Sequence, residues 1–371
     1  MSNELNDPKK WLMKGQTRIK HQVLDSYLAA FSVILTRGNP MGQRTNLHYI
    51  DGFAGRGAYQ DGEPGSPIIA MQVADKVFKD TQGKAVLKIQ AIELDDENFE
   101  SLHSETRKAA QLHPDASVQL HHGSFVEHIG PIVSRLGTVE YAFIFIDPFG
   151  YKDAVEFERV VNLISRPRTE VFITFMSHNI SRYLSDSTAT KDKTMAEIIG
   201  NQQLQQLKGM KDRQEMLVKL YGEQIQTMAK AQGIENVLIY TTGVKYEDQE
   251  QNIYHLIHVS RDAKARLEME KAVKRASLLV EPPPMLLMYF QPEIEQLALA
   301  YLSSKPGRRA TARDVAGAMW TKFWDLTWLG NVRSVLLDLE RAGTITITRP
   351  GAKPRTAGKA IEEKDMVQLS R

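Results

Sequence analysis

Apolar and polar positions along the chain predict a leading amphipathic helix and then a series of alternating strands and helices. Between residues 17 and 35, apolar side chains recur at spacings of three and four, as on one face of a helix. From residue 47 onward, short apolar runs alternate with longer segments of helical periodicity. The predicted strands are 47–50, 86–92, 118–121, 141–146 and 170–175, and the predicted helices between them are 67–79, 97–109 and 154–164. This alternation predicts an α/β fold with a doubly wound, mostly parallel sheet.

The pattern of the next hundred residues predicts a helical insertion and the end of the sheet. Residues 185–233 are polar and rich in Gln, Lys and Met, which is typical of two or three inserted helices. Two strand-like runs, 237–244 and 252–259, then predict an antiparallel pair that ends the sheet. A further helix is predicted over 262–279.

The C-terminal residues predict a separate small domain. The stretch 281–290 contains consecutive prolines, which cannot donate to a helix or a ladder, so it is the predicted linker. Three helices (293–302, 310–319 and 331–341), a strand (344–348), a basic excursion to residue 359 and a returning strand (366–369) follow. This order is that of a winged helix-turn-helix. The predicted organisation is a helical segment 1–45, a Rossmann-like domain 46–280, a linker 281–290 and a winged-helix domain 291–371.

Composition narrows the chemistry that this chain can perform. The 371 residues contain no cysteine, which excludes disulfides, thiolate metal sites, iron–sulfur ligation and cysteine nucleophiles. No apolar stretch approaches the roughly 20 residues of a membrane-spanning helix, and residues 1–15 are too polar for a signal peptide. We therefore expect a cytoplasmic protein without a membrane partner.

The charge of the chain is concentrated at its C-terminal end. Residues 301–371 carry 13 Lys and Arg against 7 Asp and Glu, whereas the whole chain has a net charge of +2. A basic tail predicts an anionic partner such as DNA or RNA, with a solvated basic surface as the alternative. The residues predicted to contact phosphates are Arg333 on the recognition helix and Arg349, Lys353 and Arg355 on the wing. Winged helices also dock proteins, so that alternative stays open.

The end of the first predicted strand is a candidate ligand site. There the chain runs from a buried strand into a turn that contains Gly55 and Gly57. Such turns lie at the carboxyl edge of a parallel sheet, where ligands bind, and glycine lets the backbone approach a bound molecule closely. Glu93 ends the next strand, where its carboxylate could accept hydrogen bonds from both hydroxyls of a ribose. A plain tight turn is the alternative interpretation.

The residues after this turn favour a cofactor without phosphates. A nicotinamide or flavin fingerprint requires a third glycine where Gln60 stands. Residues 61–67 instead form an acidic loop that would repel a diphosphate. S-adenosylmethionine lacks phosphates, and its positive sulfonium suits nearby carboxylates, so it is the predicted cofactor. The predicted cofactor contacts are Asp51, Phe53, Gly55, Gly57, Glu93 and, after the third strand, Ser124.

The fourth strand ends in Asp147-Pro148-Phe149-Gly150, which places a carboxylate at the same edge. An exocyclic amine of a base is a poor nucleophile, because its lone pair is delocalised into the ring. The Asp147 carboxylate and the Pro148 carbonyl could accept hydrogen bonds from such an amine and aim it at a methyl group. Phe149 could stack on the base. The alternative is that Asp-Pro caps the following helix.

Together these motifs resemble the three-Cys-motif partner protein (TcmP) family. The resemblance rests on residues 49–59, 65–67 and 146–150, and it extends to Lys20-His21 in the leading helix. It implies a Rossmann-like S-adenosylmethionine-dependent methyltransferase with a C-terminal winged helix. It also implies cofactor contacts at the glycine turn and Glu93, Asp147-Pro148 at the methyl-transfer position, and a protein partner with three cysteines. The sequence departs from adenine amino-methyltransferases, which show Asp or Asn, Pro, Pro and an aromatic residue.

We therefore predict a methyltransferase that moves a methyl group from S-adenosylmethionine to an amino nitrogen of a nucleic-acid base. The alternative is a non-catalytic protein that keeps this fold and binds nucleic acid and a protein partner. The altered motif at 147–150 and the winged helix motivate that alternative. A nuclease is disfavoured, because no carboxylate cluster with a companion lysine is evident at the strand ends.

Overall fold

The computed structural model describes residues 15–37, 44–148, 154–183, 189–207, 213–245, 252–276, 291–322, 332–350 and 361–370. These residues form two compact units. One contains the described residues up to 235 and those of 242–261, and the other contains 236–241 and those from 262 onward. The predicted linker, 281–290, lies outside the described residues. Within the described ranges, no helix is both long enough and apolar enough to cross a membrane.

A seven-stranded sheet contains all the strands predicted between residues 47 and 259. The strands are β1 Thr45–Asp51, β2 Ala85–Glu93, β3 Ser117–His122, β4 Tyr141–Ile146, β5 Thr169–Phe175, β6 Leu238–Lys245 and β7 Asn252–Ser260. Their order is β3-β2-β1-β4-β5-β7-β6. Strands β1 to β5 are parallel and β7 is antiparallel to β5, which confirms a doubly wound, mostly parallel sheet. The strand order reverses between β1 and β4, and ligands bind at such switch points.

The predicted helices of this part of the chain are present, together with two that the sequence pattern did not predict. The predicted ones are α1 Gly15–Arg37, α2 Ser66–Asp80, α3 Asp96–Leu112, α5 Phe157–Ser165, α7 Ala189–Ile199, α8 Asn201–Leu207 and α9 Gln214–Ala231. The additional helices are α4 Phe125–Ser134 and α6 Ser177–Tyr183. Pro131 lies inside α4. Because proline disfavours a helix interior, the sequence of this segment does not predict a helix.

Burial of the central strands explains their continuous apolar sequences. Strands β4 and β5 are buried along almost their whole length, as expected for parallel strands covered on both faces. Helix α1 packs beside them, with the ring centroids of Tyr27 and Phe143 5.0 Å apart. The Tyr27 hydroxyl also donates a hydrogen bond to Glu170 of β5, whose carboxylate contacts Nε2 of His258 at 2.9 Å. Polar and apolar contacts therefore both hold α1 next to these strands.

Among its described residues, the second unit contains four α-helices and a small antiparallel sheet. Its elements are α10 Ala263–Ala276, α11 Gln291–Ser303, β8 Arg309–Thr311, α12 Ala312–Trp320, α13 Arg333–Arg341, β9 Ile345–Thr348 and β10 Met366–Leu369. The sheet order is β8-β10-β9, and the core contains the buried Trp320 and Leu336. The prediction that a helix starts at residue 310 is wrong by two residues. Ala310 and Thr311 pair with β10, and the Thr311 side chain caps α12 by accepting a hydrogen bond from the Asp314 N–H.

Candidate active site

Three neighbouring strands bring three acidic side chains to one edge of the sheet. Asp51 ends β1, and it lies opposite Ala91 of β2 and Phe145 of β4. Glu93 and Asp147 each follow these partners by two residues, so all three carboxylates lie at the carboxyl edge beside the switch point. The ends of the predicted strands imply this juxtaposition, and the strand register agrees with it.

Glu93 holds the turn that follows β1. Its Oε2 accepts a hydrogen bond of 2.7 Å from the Gly55 N–H, and its Oε1 accepts one of 2.8 Å from the Asp95 N–H. The side chain is buried, and burial raises the pKa of the Glu93 carboxyl, while the backbone N–H groups of Asp95, Gly55 and Leu94 oppose that rise. A carboxylate has about four acceptor positions, so these backbone donors do not use all of them. Glu93 is therefore both a brace for the turn and a group that can still accept hydrogen bonds.

Both predicted turn glycines have left-handed backbones, with φ of 62° at Gly55 and 83° at Gly57. A Cβ on Gly57 would lie 3.1 Å from Cβ of Glu105 and 3.2 Å from Cδ1 of Leu102, both on α3. From the sequence alone, Gly57 is expected to allow the close approach of a ligand. The structure gives a different reason, because the space that the Cβ would fill belongs to α3.

We expect Gly57→Ala to destabilise the protein by about 2–4 kcal/mol, from the left-handed backbone together with overpacking against α3. Gly62 is a matched control, because its φ is 82° and nothing lies within 4 Å of its Cβ position. Gly62→Ala should therefore cost only about 1–2 kcal/mol, the part due to the backbone. Urea unfolding of both variants measures the difference. Equal losses would show that the contact with α3 contributes nothing.

Asp51 is fully buried at the end of β1. The Tyr49 hydroxyl donates a hydrogen bond of 2.8 Å to its Oδ2, and the Phe53 N–H donates one of 3.2 Å to its Oδ1. Burial nevertheless raises the pKa of the Asp51 carboxyl to about 6, and the negative charge of Asp147 contributes to the increase. The charge of this carboxyl therefore changes near neutral pH.

Asp147 forms an ion pair with Lys20 of α1. The Lys20 side chain is 10% exposed and that of Asp147 is 22% exposed, so the pair is largely desolvated but water still reaches the carboxylate. The charge of Asp147 also acts on the pKa of Asp51, Tyr59 and His21, which places these groups around it. Pro148 is buried, whereas the predicted stacking residue Phe149 lies outside the described residues.

Helix α1 contributes polar groups to which the sequence analysis gave no chemical role. Lys20 lies on the buried stripe of the helix with Leu24 and Tyr27, so a charged residue at an apolar position was the available signal. His21 is also buried, and its ring centroid lies 5.7 Å from that of Tyr59. Burial, together with the nearby Lys20 charge, lowers the pKa of His21 to about 3, so its ring is neutral. Within the described part of the chain, its Nδ1 has no hydrogen-bond partner.

The structure thus places a lysine beside the carboxylate of Asp147, a pairing that the strand ends alone do not predict. Lys20 comes from α1, 127 positions before Asp147, so a search of strand ends alone could not show it. Among the described residues, no group of three or more His, Asp or Glu side chains is arranged to hold a metal ion.

Ser124 and Leu94 border the site on the side of β3. The Ser124 hydroxyl donates a hydrogen bond of 2.8 Å to Glu127 and accepts one from the Glu127 N–H, which forms a capping box at the start of α4. This serine therefore has a structural role in addition to the predicted contact with a cofactor. Leu94, which follows Glu93, is 65% exposed. The ring of Phe53 packs against Phe125, with their centroids 5.4 Å apart.

Two of the four predicted phosphate contacts lie on described residues of the second unit. Arg333 is half-buried at the first position of α13. Arg349 is bound through Nε and Nη2 to the buried carboxylate of Asp365, at 2.9 and 3.0 Å, and through Nη1 to Glu362 at 2.7 Å. These acidic partners give Arg349 a structural role in this unit. Lys353 and Arg355 lie outside the described residues.

Comparison with solved structures finds similarity to the two described below. No family model matches the sequence, so the resemblance to the TcmP family stays a prediction, and no curated protein matches either. The structure of a geranyl diphosphate methyltransferase in complex with GPP and sinefungin is 10% identical over 63% of this chain and 77% of that one, with a TM-score of 0.24. The crystal structure of P. horikoshii TYW2 in complex with MeSAdo is 12% identical with a TM-score of 0.23, and the match covers 59% of each chain.

Proposed function

We propose that the chain is an S-adenosylmethionine-dependent methyltransferase that acts on an amino nitrogen of a nucleic-acid base. The observation that carries this proposal is the grouping of Asp51, Glu93 and Asp147 at the switch point of the sheet. One of these acids braces a glycine turn, one is buried and one keeps access to water. Such an edge is where doubly wound folds bind nucleoside ligands.

The charges of the site fit a cation. Asp51, Glu93 and Asp147 are three carboxylates, and Lys20 forms an ion pair with Asp147. A positive sulfonium would balance part of the remaining negative charge, whereas a diphosphate would be repelled by it. The loop from Asp61 to Glu63 adds further acidic groups. This balance supports S-adenosylmethionine over a dinucleotide cofactor.

Different residues around the turn would bind different parts of this cofactor. The free acceptor positions of Glu93 would bind the ribose hydroxyls, and the exposed Leu94 would lie against the adenine ring together with Phe53. Gly55 and Gly57 shape the turn, and Ser124 would contribute a single polar contact. When bound, the cofactor supplies a methyl group whose transfer to an amine leaves a neutral thioether and releases one proton.

Asp147 and Pro148 would handle the substrate side of the reaction. The Asp147 carboxylate and the Pro148 carbonyl would accept hydrogen bonds from the two amine protons, which localises the lone pair of the nitrogen and orients it. Asp147 can also receive the released proton and pass it to water, because its side chain is partly exposed.

We further propose that the second unit is a winged-helix domain that presents nucleic acid or docks the three-cysteine partner. Three helices and a three-stranded antiparallel sheet in the order of α11, β8, α12, α13, β9 and β10 support this assignment. Arg333 at the start of α13 would contact phosphate, together with Lys353 and Arg355. Arg349 is assigned instead to holding Asp365 in place.

Calorimetric titration of the full chain with S-adenosylmethionine, followed by mass spectrometry of nucleosides after incubation with DNA and with RNA, tests the proposed function. Cofactor binding together with a methylated amino-base product supports it. Absence of cofactor binding at millimolar concentration overturns it. Cofactor binding without transfer to any nucleic acid would favour the non-catalytic binding protein.

Cofactor affinity is expected to increase with pH as Asp51 ionises. The Asp51 carboxyl has a pKa raised to about 6 by burial, so it is neutral below this pH and attracts a cation above it. The affinity for S-adenosylmethionine should therefore rise by roughly tenfold through pH 6 and then level off. Calorimetry at several pH values measures this increase, with the neutral S-adenosylhomocysteine as a control ligand. The same increase in Asp51→Asn would show that another group is responsible.

A further inference from the structure

The ion pair between Lys20 and Asp147 offers a hydrogen-bond donor and an acceptor side by side. The ammonium of Lys20 has three protons and the carboxylate of Asp147 has about four acceptor positions, and their mutual contact uses one of each. The side chains of Lys20 and Asp147 are both partly exposed, by 10% and 22%, so water reaches the Asp147 carboxylate. A ligand at this edge of the sheet can therefore meet both groups.

Stability alone gives no reason for a lysine at this position of α1. Burying an ion pair costs desolvation free energy, and apolar residues of similar size often stabilise a fold equally well. The neighbouring stripe positions, Leu24 and Tyr27, are filled by apolar or aromatic side chains. A second polar link, from Tyr27 to Glu170, already fixes the helix to β5. The Lys20–Asp147 pair is therefore available for a role beyond anchoring α1.

An aromatic surface lies next to this pair. The rings of Tyr59 and His21 are in contact, and the charge of Asp147 acts on the pKa of both. Tyr59 is only half-buried, so part of its surface is accessible. His21 adds a buried ring nitrogen, Nδ1, that has no partner among the residues described. Aromatic faces with polar groups at one side are the usual means of holding an extruded base.

We propose that Lys20 and Asp147 together read the amine edge of the target base, with Tyr59 against its face. Asp147 would accept the amine proton, and Lys20 would donate to the ring nitrogen next to the amine. This inference rests on the proposed function and narrows its substrate class to bases whose Watson–Crick edge carries an amine beside an unprotonated ring nitrogen.

Adenine and cytosine have this arrangement on their Watson–Crick edge, whereas the other bases do not. Both present there an amine donor next to a ring nitrogen that accepts. On its Watson–Crick edge guanine presents a protonated ring nitrogen beside its amine, so two donors, this N–H and the Lys20 ammonium, would face each other. Thymine and uracil have no amine that could be methylated. Leaving a buried charged group without its partner costs free energy, so the mismatch would exclude these bases from the site.

The adenine analogue 1-deazaadenine isolates the proposed contact, because it keeps the amine and replaces the adjacent ring nitrogen by C–H. The probes are single-stranded oligonucleotides, as DNA and as RNA, built on adenine, 1-deazaadenine, cytosine, guanine or thymine. Their binding to the full chain saturated with sinefungin is followed by fluorescence anisotropy, and transfer is followed with labelled S-adenosylmethionine. Wild-type protein should prefer adenine over 1-deazaadenine by about tenfold to 100-fold, the value of one hydrogen bond to a charged group.

Three variants separate recognition from anchoring. Lys20→Met keeps the length of the side chain without a donor, so the preference for adenine over 1-deazaadenine should fall to about one. Lys20→Gln keeps a neutral donor and should restore part of the preference. Tyr27→Phe removes a different polar link of α1, the one to Glu170, so it should lower stability while the preference stays at the wild-type value.

The outcomes distinguish this inference from the proposed function. A preference that disappears in Lys20→Met and persists in Tyr27→Phe supports the inference. Equal binding of adenine and 1-deazaadenine by the wild type, or an unchanged preference in Lys20→Met, overturns it while the methyltransferase proposal stands. Failure of every variant and of the wild type to bind S-adenosylmethionine in calorimetry overturns both.

Discussion

Asp147→Ala is expected to reduce methyl transfer by roughly 100-fold to 1,000-fold, the loss typical of removing one positioned hydrogen-bonding group from a reacting centre. The variant loses the acceptor that orients the amine and the group that can receive its proton. Cofactor affinity should change by less than about tenfold, because Glu93 and the glycine turn remain intact. Single-turnover rates with labelled cofactor, compared with calorimetric affinities, measure the two effects separately.

The unpaired Lys20 is the main complication of this variant, because it would leave a largely buried ammonium without its counter-ion. The double variant Lys20→Met with Asp147→Ala removes both charges and serves as the control for folding. Asp147→Asn keeps one acceptor oxygen in the same place, so it should retain more transfer activity than Asp147→Ala. If Asp147→Ala transfers methyl groups at the wild-type rate, Asp147 has no part in the reaction.

Burial on both sheet faces made most of the fold predictable from the sequence. Strand β4 is a continuous apolar run, β1 and β5 are buried over most of their length, and the polar Asp51 and Asp147 stand out at the ends of β1 and β4. Elements whose local sequence is unfavourable for their secondary structure were not predicted, or were predicted with the wrong bounds. Helix α4 contains Pro131, and β8 is three residues long and forms only by pairing with β10. Tertiary contacts decide such cases, and a local pattern does not contain them.

The candidate site was predictable as far as strand ends determine it. Asp51, Glu93 and Asp147 were identified because parallel strands end at one edge. The partners of these side chains were not, since Lys20 lies on a helix far away in sequence. For the same reason, the contact of Gly57 with α3 and the engagement of Arg349 by Asp365 could not be foreseen.

Glu93→Ala is expected to reduce the affinity for S-adenosylmethionine by at least about 100-fold, because hydrogen bonds to a charged acceptor contribute roughly 1.5–3 kcal/mol each. Two effects add in this variant. The ribose hydroxyls lose their acceptors, and the Gly55 N–H and Asp95 N–H lose theirs. The unpaired Gly55 donor is buried, so the stability of the free protein should also fall, by about 2–4 kcal/mol. Calorimetry measures the first effect and urea unfolding the second.

Glu140→Ala is the matched control for Glu93→Ala. Glu140 precedes β4 at the opposite edge of the sheet, and its carboxylate accepts a hydrogen bond of 2.8 Å from the Gly137 N–H. Its removal should lower stability in a similar way without changing cofactor affinity. If Glu93→Ala is destabilised but binds the cofactor as tightly as the wild type, the carboxylate only supports the turn. The ribose must then be held by other groups. The comparison of the two variants therefore separates the contribution of Glu93 to the turn from its contribution to cofactor binding.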